Sequence, residues 1–107
     1  MKLTVKKLKN GTEQKRKYDK NENIIYQSDL RKDNSLHEMW FEFDEKNRET
    51  NFRTSMGSQI ETRYDEDDFV YYKKITDPSD GITEIFCEFD ENKRLVRTVT
   101  IINGKLC

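Results

Sequence analysis

Apolar and polar residues alternate along much of the chain. In Glu38–Phe43, Met39, Phe41 and Phe43 take one set of alternate positions, and Glu38, Trp40 and Glu42 take the other. Residues 84–89 repeat the pattern, with Ile85, Cys87 and Phe89 set against Glu84, Phe86 and Glu88. A period of two puts the sets on opposite faces of a β-strand, one apolar and one reading acid–aromatic–acid. The runs 4–8, 69–75, 82–89 and 95–102 are rich in β-branched and aromatic residues and also predict strands. No stretch carries a capped apolar stripe of helical period. The one plausible helix start, near Ser28-Asp29, runs into the turn-forming Asp33-Asn34-Ser35.

Shifted by 46 residues, the sequence aligns with itself: 11–56 matches 57–102 without a gap, and eleven pairs are identical. They include Tyr18/Tyr64, Asp19/Asp65, Tyr26/Tyr72, Glu38/Glu84, Glu42/Glu88 and Phe43/Phe89. Trp40/Phe86 and Met39/Ile85 match in kind. The chain is therefore a tandem duplication.

Each copy divides again. Tyr18-Asp-Lys-Asn-Glu-Asn23, Phe43-Asp-Glu-Lys-Asn-Arg48, Tyr64-Asp-Glu-Asp-Asp-Phe69 and Phe89-Asp-Glu-Asn-Lys-Arg94 share one form. An aromatic ends a strand, Asp opens a turn by accepting from the backbone two residues on, and alternation resumes. Asn47 and Asp68 stand where a left-handed residue is wanted. Asn10-Gly11 and Asn103-Gly104 are further hairpin signals. The fold expected is all-β: an antiparallel meander of about eight to ten strands, as a curled single sheet or a half-open barrel. It is read as one domain over 1–107.

Composition sharpens this picture. The chain has 107 residues, 33% hydrophobic and 38% charged, with net charge -1 and 12 aromatics by type (Phe 6, Tyr 5, Trp 1). Near-neutrality and the aromatics argue for a folded, thinly cored protein rather than a disordered one. No apolar run reaches the roughly 20 residues of a membrane helix, and no secretory leader is evident, so a cytoplasmic location is expected. Cys87 and Cys107 are too few for a disulfide framework and are read as free thiols. Residues 1–20 hold eight basic and two acidic side chains, net +6, leaving net -7 for the rest. The basic end is expected to pair with acidic strands of its own sheet, and the acidic remainder suits a basic partner.

The aromatic–Asp–turn–strand units, most plainly Tyr64-Asp-Glu-Asp-Asp and Phe89-Asp-Glu-Asn-Lys-Arg-Leu-Val, resemble the tyrosine–aspartate repeats of RHS-type proteins. Glu22, Asn47, Asp68 and Lys93 replace the usual turn glycine, and the chain is too short for the large shell those proteins build. In general character the chain resembles small immunity proteins of bacterial contact-dependent toxin systems. That resemblance implies binding and occlusion of a cognate toxin, often a nuclease.

Chemistry-bearing constellations are sparse. His37 is the one histidine, too close to Ser35 for a Ser–His–Asp arrangement. One histidine and two distant cysteines make no zinc site, and Asp65-Glu-Asp-Asp68 lacks the spacing of a calcium loop. Glu38/Glu42 and Glu84/Glu88 lie on strand faces, where a ladder with Lys15, Lys17 and Arg63 explains them better than acid–base catalysis. Glutamates beside Trp40, Tyr72 and Phe86 would repel nucleic-acid phosphate. The expectation is a non-enzymatic protein-binding module without cofactor or metal, not binding nucleic acid or membrane directly. Its partner would be a cognate toxin, a basic nuclease domain in class, with a homodimer as a further state. Partner contacts fall to Glu38, Trp40, Glu42, Glu84, Phe86 and Glu88, with the acidic turn Asp65, Glu66, Asp67 and Asp68. The alternative is a stand-alone repeat module for self-assembly or carbohydrate binding.

Overall fold

The computed structural model describes residues 2–106, in which all regular structure is β-strand. In chain order the strands are β1 (Lys2–Lys7), β2 (Glu13–Tyr18), β3 (Ile24–Leu30), β4 (Leu36–Phe43), β5 (Glu49–Thr54), β6 (Gln59–Tyr64), β7 (Val70–Asp77), β8 (Gly81–Phe89), β9 (Leu95–Ile102) and β10 (Lys105–Leu106). The chain divides into two compact units, residues 1–56 and 57–107, and the division falls between the two sequence copies. The first unit is the antiparallel meander β1–β5, the second the antiparallel meander β6–β10. Among the described residues β1 does not touch β5, nor β6 β10, so neither unit closes into a barrel. No helix among them is long and apolar enough to cross a membrane.

The four Asp turns are built alike. In each, the first Asp accepts two backbone amides on one carboxylate oxygen at 2.8–3.0 Å; Asp19, for example, takes those of Asn21 and Asn23. The fourth residue, Glu22, Asn47, Asp68 or Lys93, is left-handed, with φ between 64° and 68°. Its amide closes the turn on the carbonyl of the Asp. This is a type I turn followed by a left-handed residue. A register shift sits just before the aromatic of every unit, at Lys17/Tyr18, Glu42/Phe43, Arg63/Tyr64 and Glu88/Phe89. In the first unit the two turns are tied together: Asn47 Oδ1 accepts from the side-chain amides of Asn21 at 2.9 Å and Asn23 at 3.1 Å.

The segment near Ser28 is strand β3, and Arg31–Ser35 forms the turn after it, with Asn34 left-handed at φ 69°. Asn103 and Gly104 both have positive φ, 52° and 81°, and turn β9 into β10 as a type I′ hairpin.

The core is thin. Tyr72, Ser28 and Thr62 are buried, and no described side chain is fully inaccessible. Stability therefore rests on strand ladders and cross-strand side-chain pairs. Phe41 and Phe52 lie 5.0 Å apart between ring centroids, and Phe69 stacks on Phe89 at 4.9 Å. The uniformly apolar face expected from Met39, Phe41 and Phe43 does not extend across the first unit. Register places Gln27 beside Met39 and Asp29 beside His37, with Arg16 and Gln14 one strand further on. These polar groups bond one another: Gln14 Nε2 donates to Asp29 at 3.1 Å, and Arg16 Nε donates to Gln27 at 3.0 Å.

Candidate partner-binding surface

The acid–aromatic–acid strands are the centres of two equivalent cross-strand rows. In the first unit, register aligns Lys17, Tyr26, Trp40 and Arg53 across β2–β5. Lys17 Nζ lies 5.3 Å from the Tyr26 ring, Tyr26 lies 5.9 Å from Trp40, and the Arg53 guanidinium lies 5.1 Å from the Trp40 ring. Two cations thus bracket two tilted aromatics. Each cation–ring contact at an exposed position contributes roughly 0.5–1 kcal/mol.

The second unit repeats the row with Arg63, Tyr72, Phe86 and Val99 across β6–β9. Arg63 lies 4.8 Å from the Tyr72 ring, and Tyr72 lies 5.0 Å from Phe86. Val99 stands where the first copy has Arg53, so the outer ring has no cation over it among the described residues. Phe86 is 39% exposed, whereas Trp40 is half-buried. A shallow cavity of about 300 Å³ lies here, lined by Phe86, Cys87, Glu88, Arg97 and Val99.

The glutamates divide into two kinds. Glu38 and Glu84 are half-buried and accept from the hydroxyls of Tyr26 and Tyr72, at 2.7 Å and 2.6 Å. These bonds raise both tyrosine pKa values above the ordinary one, helped by desolvation. Tyrosine, not the expected lysine or arginine ladder, is therefore what holds these two carboxylates. Lys17 and Arg63 instead stack on the tyrosine rings, and Arg63 also pairs with Glu61 at 3.3 Å. Glu42 and Glu88 are exposed, Glu88 with Arg97 at a loose 3.9 Å.

The acidic turn is largely committed to its own geometry. The Asp65 carboxylate holds the amides of Asp67 and Phe69, Asp67 bridges to Lys93 at 3.1 Å, and Asp68 is the left-handed residue. Glu66 is exposed. Among the described residues no cluster of three His, Cys, Asp or Glu could hold a metal ion. The Ser35 hydroxyl donates to Asp33 within its own turn at 2.6 Å, and His37 is half-buried beside it. Cys87 is a half-buried free thiol; Cys107 lies outside the described residues.

Tyr26, Tyr72, Arg53 and Val99 were not among the residues expected to form the surface. One signal was available: Tyr26/Tyr72 and Glu38/Glu84 are identical pairs between the copies, and register sets each tyrosine diagonally across from its glutamate in the adjacent strand. No protein-family model matches the chain, and no curated protein matches it significantly.

Proposed function

We propose that the chain is a non-enzymatic binding protein of the immunity or antitoxin kind, which occludes a basic toxin domain. The observation that carries this reading is the state of Phe86. Its ring is exposed, packed from one side by Tyr72 and flanked along β8 by Glu84 and Glu88. The corresponding ring in the first unit is covered by Arg53, and here that place belongs to Val99. An arginine or lysine from a partner completes the row, gaining a cation–ring contact and an adjacent carboxylate.

Charge supports the same partner. Residues 57–107 carry seven basic and eleven acidic side chains, net -4. Nuclease toxins attract phosphate with basic clefts, so an acidic sheet face steers rapid association and occupies the cleft in place of substrate. Aromatic anchors ringed by charge are common sources of interface energy. In this reading the protein acts in the cytoplasm, where a nuclease toxin meets nucleic acid.

The test is recovery of a partner and assay of its activity. The tagged chain should retain one stoichiometric basic domain from the source cell, and equimolar addition should abolish that domain's nucleic-acid cleavage. Retention of an acidic or carbohydrate partner, or undiminished cleavage in the complex, would overturn the reading.

A further inference from the structure

The basic end of the chain is not neutralised by the sheet that carries it. β1 and β2 form one hairpin holding most of the eight basic side chains of residues 1–20. Among the described residues, Lys15 with Glu13, at 3.8 Å, is the one ion pair these eight side chains make. The others are exposed or engage neutral groups: Lys2 lies 5.7 Å from the Tyr18 ring, and Arg16 bonds Gln27. The expected pairing with acidic strands of the same sheet is therefore not what forms. The acidic residues of β4 are held by tyrosine or face solvent.

β1 also has an open edge. It pairs with β2 over all six of its residues without a register shift and contacts no other strand among the described residues. Its outer side presents unpaired backbone donors and acceptors, a template for one more strand. Its side chains alternate: Lys2 and Lys6 share a face with Arg16, while Leu3, Val5 and Lys7 share the other with Lys15 and Lys17. Leu3 and Val5 are 59% and 58% exposed.

From this geometry we infer that the β1 edge is a docking site for an extended acidic segment of another protein, which adds to the first unit as a further strand. A strand in the plane of the sheet sends alternate side chains to both faces, so it meets both cation sets at once. A nucleic-acid backbone laid on one face would reach only one set. The preferred segment, antiparallel to β1, has acidic residues opposite Lys7, Lys6 and Lys2 and aliphatic ones opposite Val5 and Leu3. The lysines disfavour two-fold pairing of β1 with its own copy, which would bring like charges together, while admitting an oppositely charged strand. This site is separate from the Phe86 surface and of opposite charge, and stands whether or not that surface binds a toxin.

The test is a titration of the isotope-labelled full chain, read by amide NMR, with the blocked peptide Glu-Glu-Val-Thr-Val-Glu. Two controls accompany it: the same peptide with both valines replaced by proline, and single-stranded oligothymidine. Shifts confined to residues 2–18, slowed exchange of β1 amides and weakening with salt are expected for the first peptide alone. The Lys2→Glu/Lys6→Glu variant, altered at exposed side chains, should keep its spectrum elsewhere and bind about tenfold more weakly. Equal binding of the proline peptide would reduce the contact to unspecific charge attraction and overturn strand addition. Stronger binding of oligothymidine at the same residues would replace the acidic segment with nucleic acid. No shift with any probe would leave the lysines as a guard against edge pairing and overturn the proposal.

Discussion

Tyr72 Oη donates to Glu84 Oε2 at 2.6 Å on the diagonal between β7 and β8, where register pairs Tyr72 with Phe86, two residues along the strand from Glu84. Among the described residues Tyr72 is also the one buried apolar or aromatic side chain, and Arg63 lies against its ring. A single side chain thus joins three strands of the second unit. Tyr72→Phe keeps the ring and removes the charge-assisted bond, and should cost about 1–2 kcal/mol in chemical denaturation. Tyr72→Ala should cost more, about 3 kcal/mol, because the ring contacts go too.

Gly81, with φ 87°, sits against the side chain of Asn103. Asn103 Oδ1 accepts from the Ile82 amide at 2.7 Å, and Asn103 Nδ2 donates to the Asp80 carbonyl at 3.2 Å. A Cβ on residue 81 would collide with that Asn103 amide group. Gly81→Ala therefore combines left-handed strain with the loss of these bonds and should lower stability by about 2–4 kcal/mol. Gly104→Ala, at φ 81° but with open space around it, should cost only the backbone strain, about 1–2 kcal/mol. Equal losses at the two positions would contradict the role given to Asn103.

The left-handed turn positions predict gains. Lys93 has φ 65°, is exposed, and bridges Asp67 at 3.1 Å. Lys93→Gly removes backbone strain and forfeits a surface ion pair of small value, so a net gain of about 0.5–1 kcal/mol is expected from thermal melts. Glu22→Gly, with φ 65° and no described ion pair to lose, should gain at least as much.

Acid and alkali should act on different residues. At Asp44 the Arg48 amide, joined by its guanidinium and the Lys46 amide, outweighs desolvation and lowers the pKa. At Asp33 the Ser35 hydroxyl and amide do the same. At Asp19 desolvation raises the pKa, but bonds from Asn23 and Asn21 outweigh it and the net shift is downward. A lowered carboxyl pKa gives stability that is present above the unfolded value and lost as pH falls through the folded one. Melting temperature should therefore fall below about pH 4, and Asp44→Asn should flatten that fall. Tyr26 and Tyr72, raised by their glutamate bonds, should ionise after free tyrosine, with their stabilisation lost as pH rises past about 10. Tyr18 is lowered, chiefly by its bond with Thr4, and should ionise before them. Residue-resolved NMR titration of the tyrosines checks the order.

The turns were legible because their chemistry is local. Asp19, Asp44, Asp65 and Asp90 close loops with amides two and four residues away, so a short motif carries the whole instruction. β2, whose sequence Glu-Gln-Lys-Arg-Lys-Tyr has little strand character of its own, was marked only by the aromatic Tyr18 that ends it before the turn. Faces were less legible. A strand's phase says which side chains share a side, but the neighbours on that side depend on register. Gln27 beside Met39, and Tyr26 beside Trp40, are properties of pairing rather than of either strand. The fate of the basic end was hidden for the same reason: β2 lies beside β3, whose facing residues to Lys17 and Lys15 are Tyr26 and Ser28, not glutamates. Trp40 and Phe86 were recognised as equivalents, yet their difference lies in Arg53 and Val99, on the next strand.

That difference singles out Val99→Arg as the variant that asks whether the uncapped Phe86 ring is what binds a basic partner. An arginine at residue 99 recreates the arrangement of Arg53 over Trp40 and caps Phe86 from within. The measurement is quantitative capture of the basic partner by wild type and by Val99→Arg, with thermal melts of both. The variant should melt at the wild-type temperature or higher and hold the partner at least tenfold more weakly, the surface now being satisfied internally. A variant that folds and retains the partner at wild-type affinity would contradict that role of Phe86.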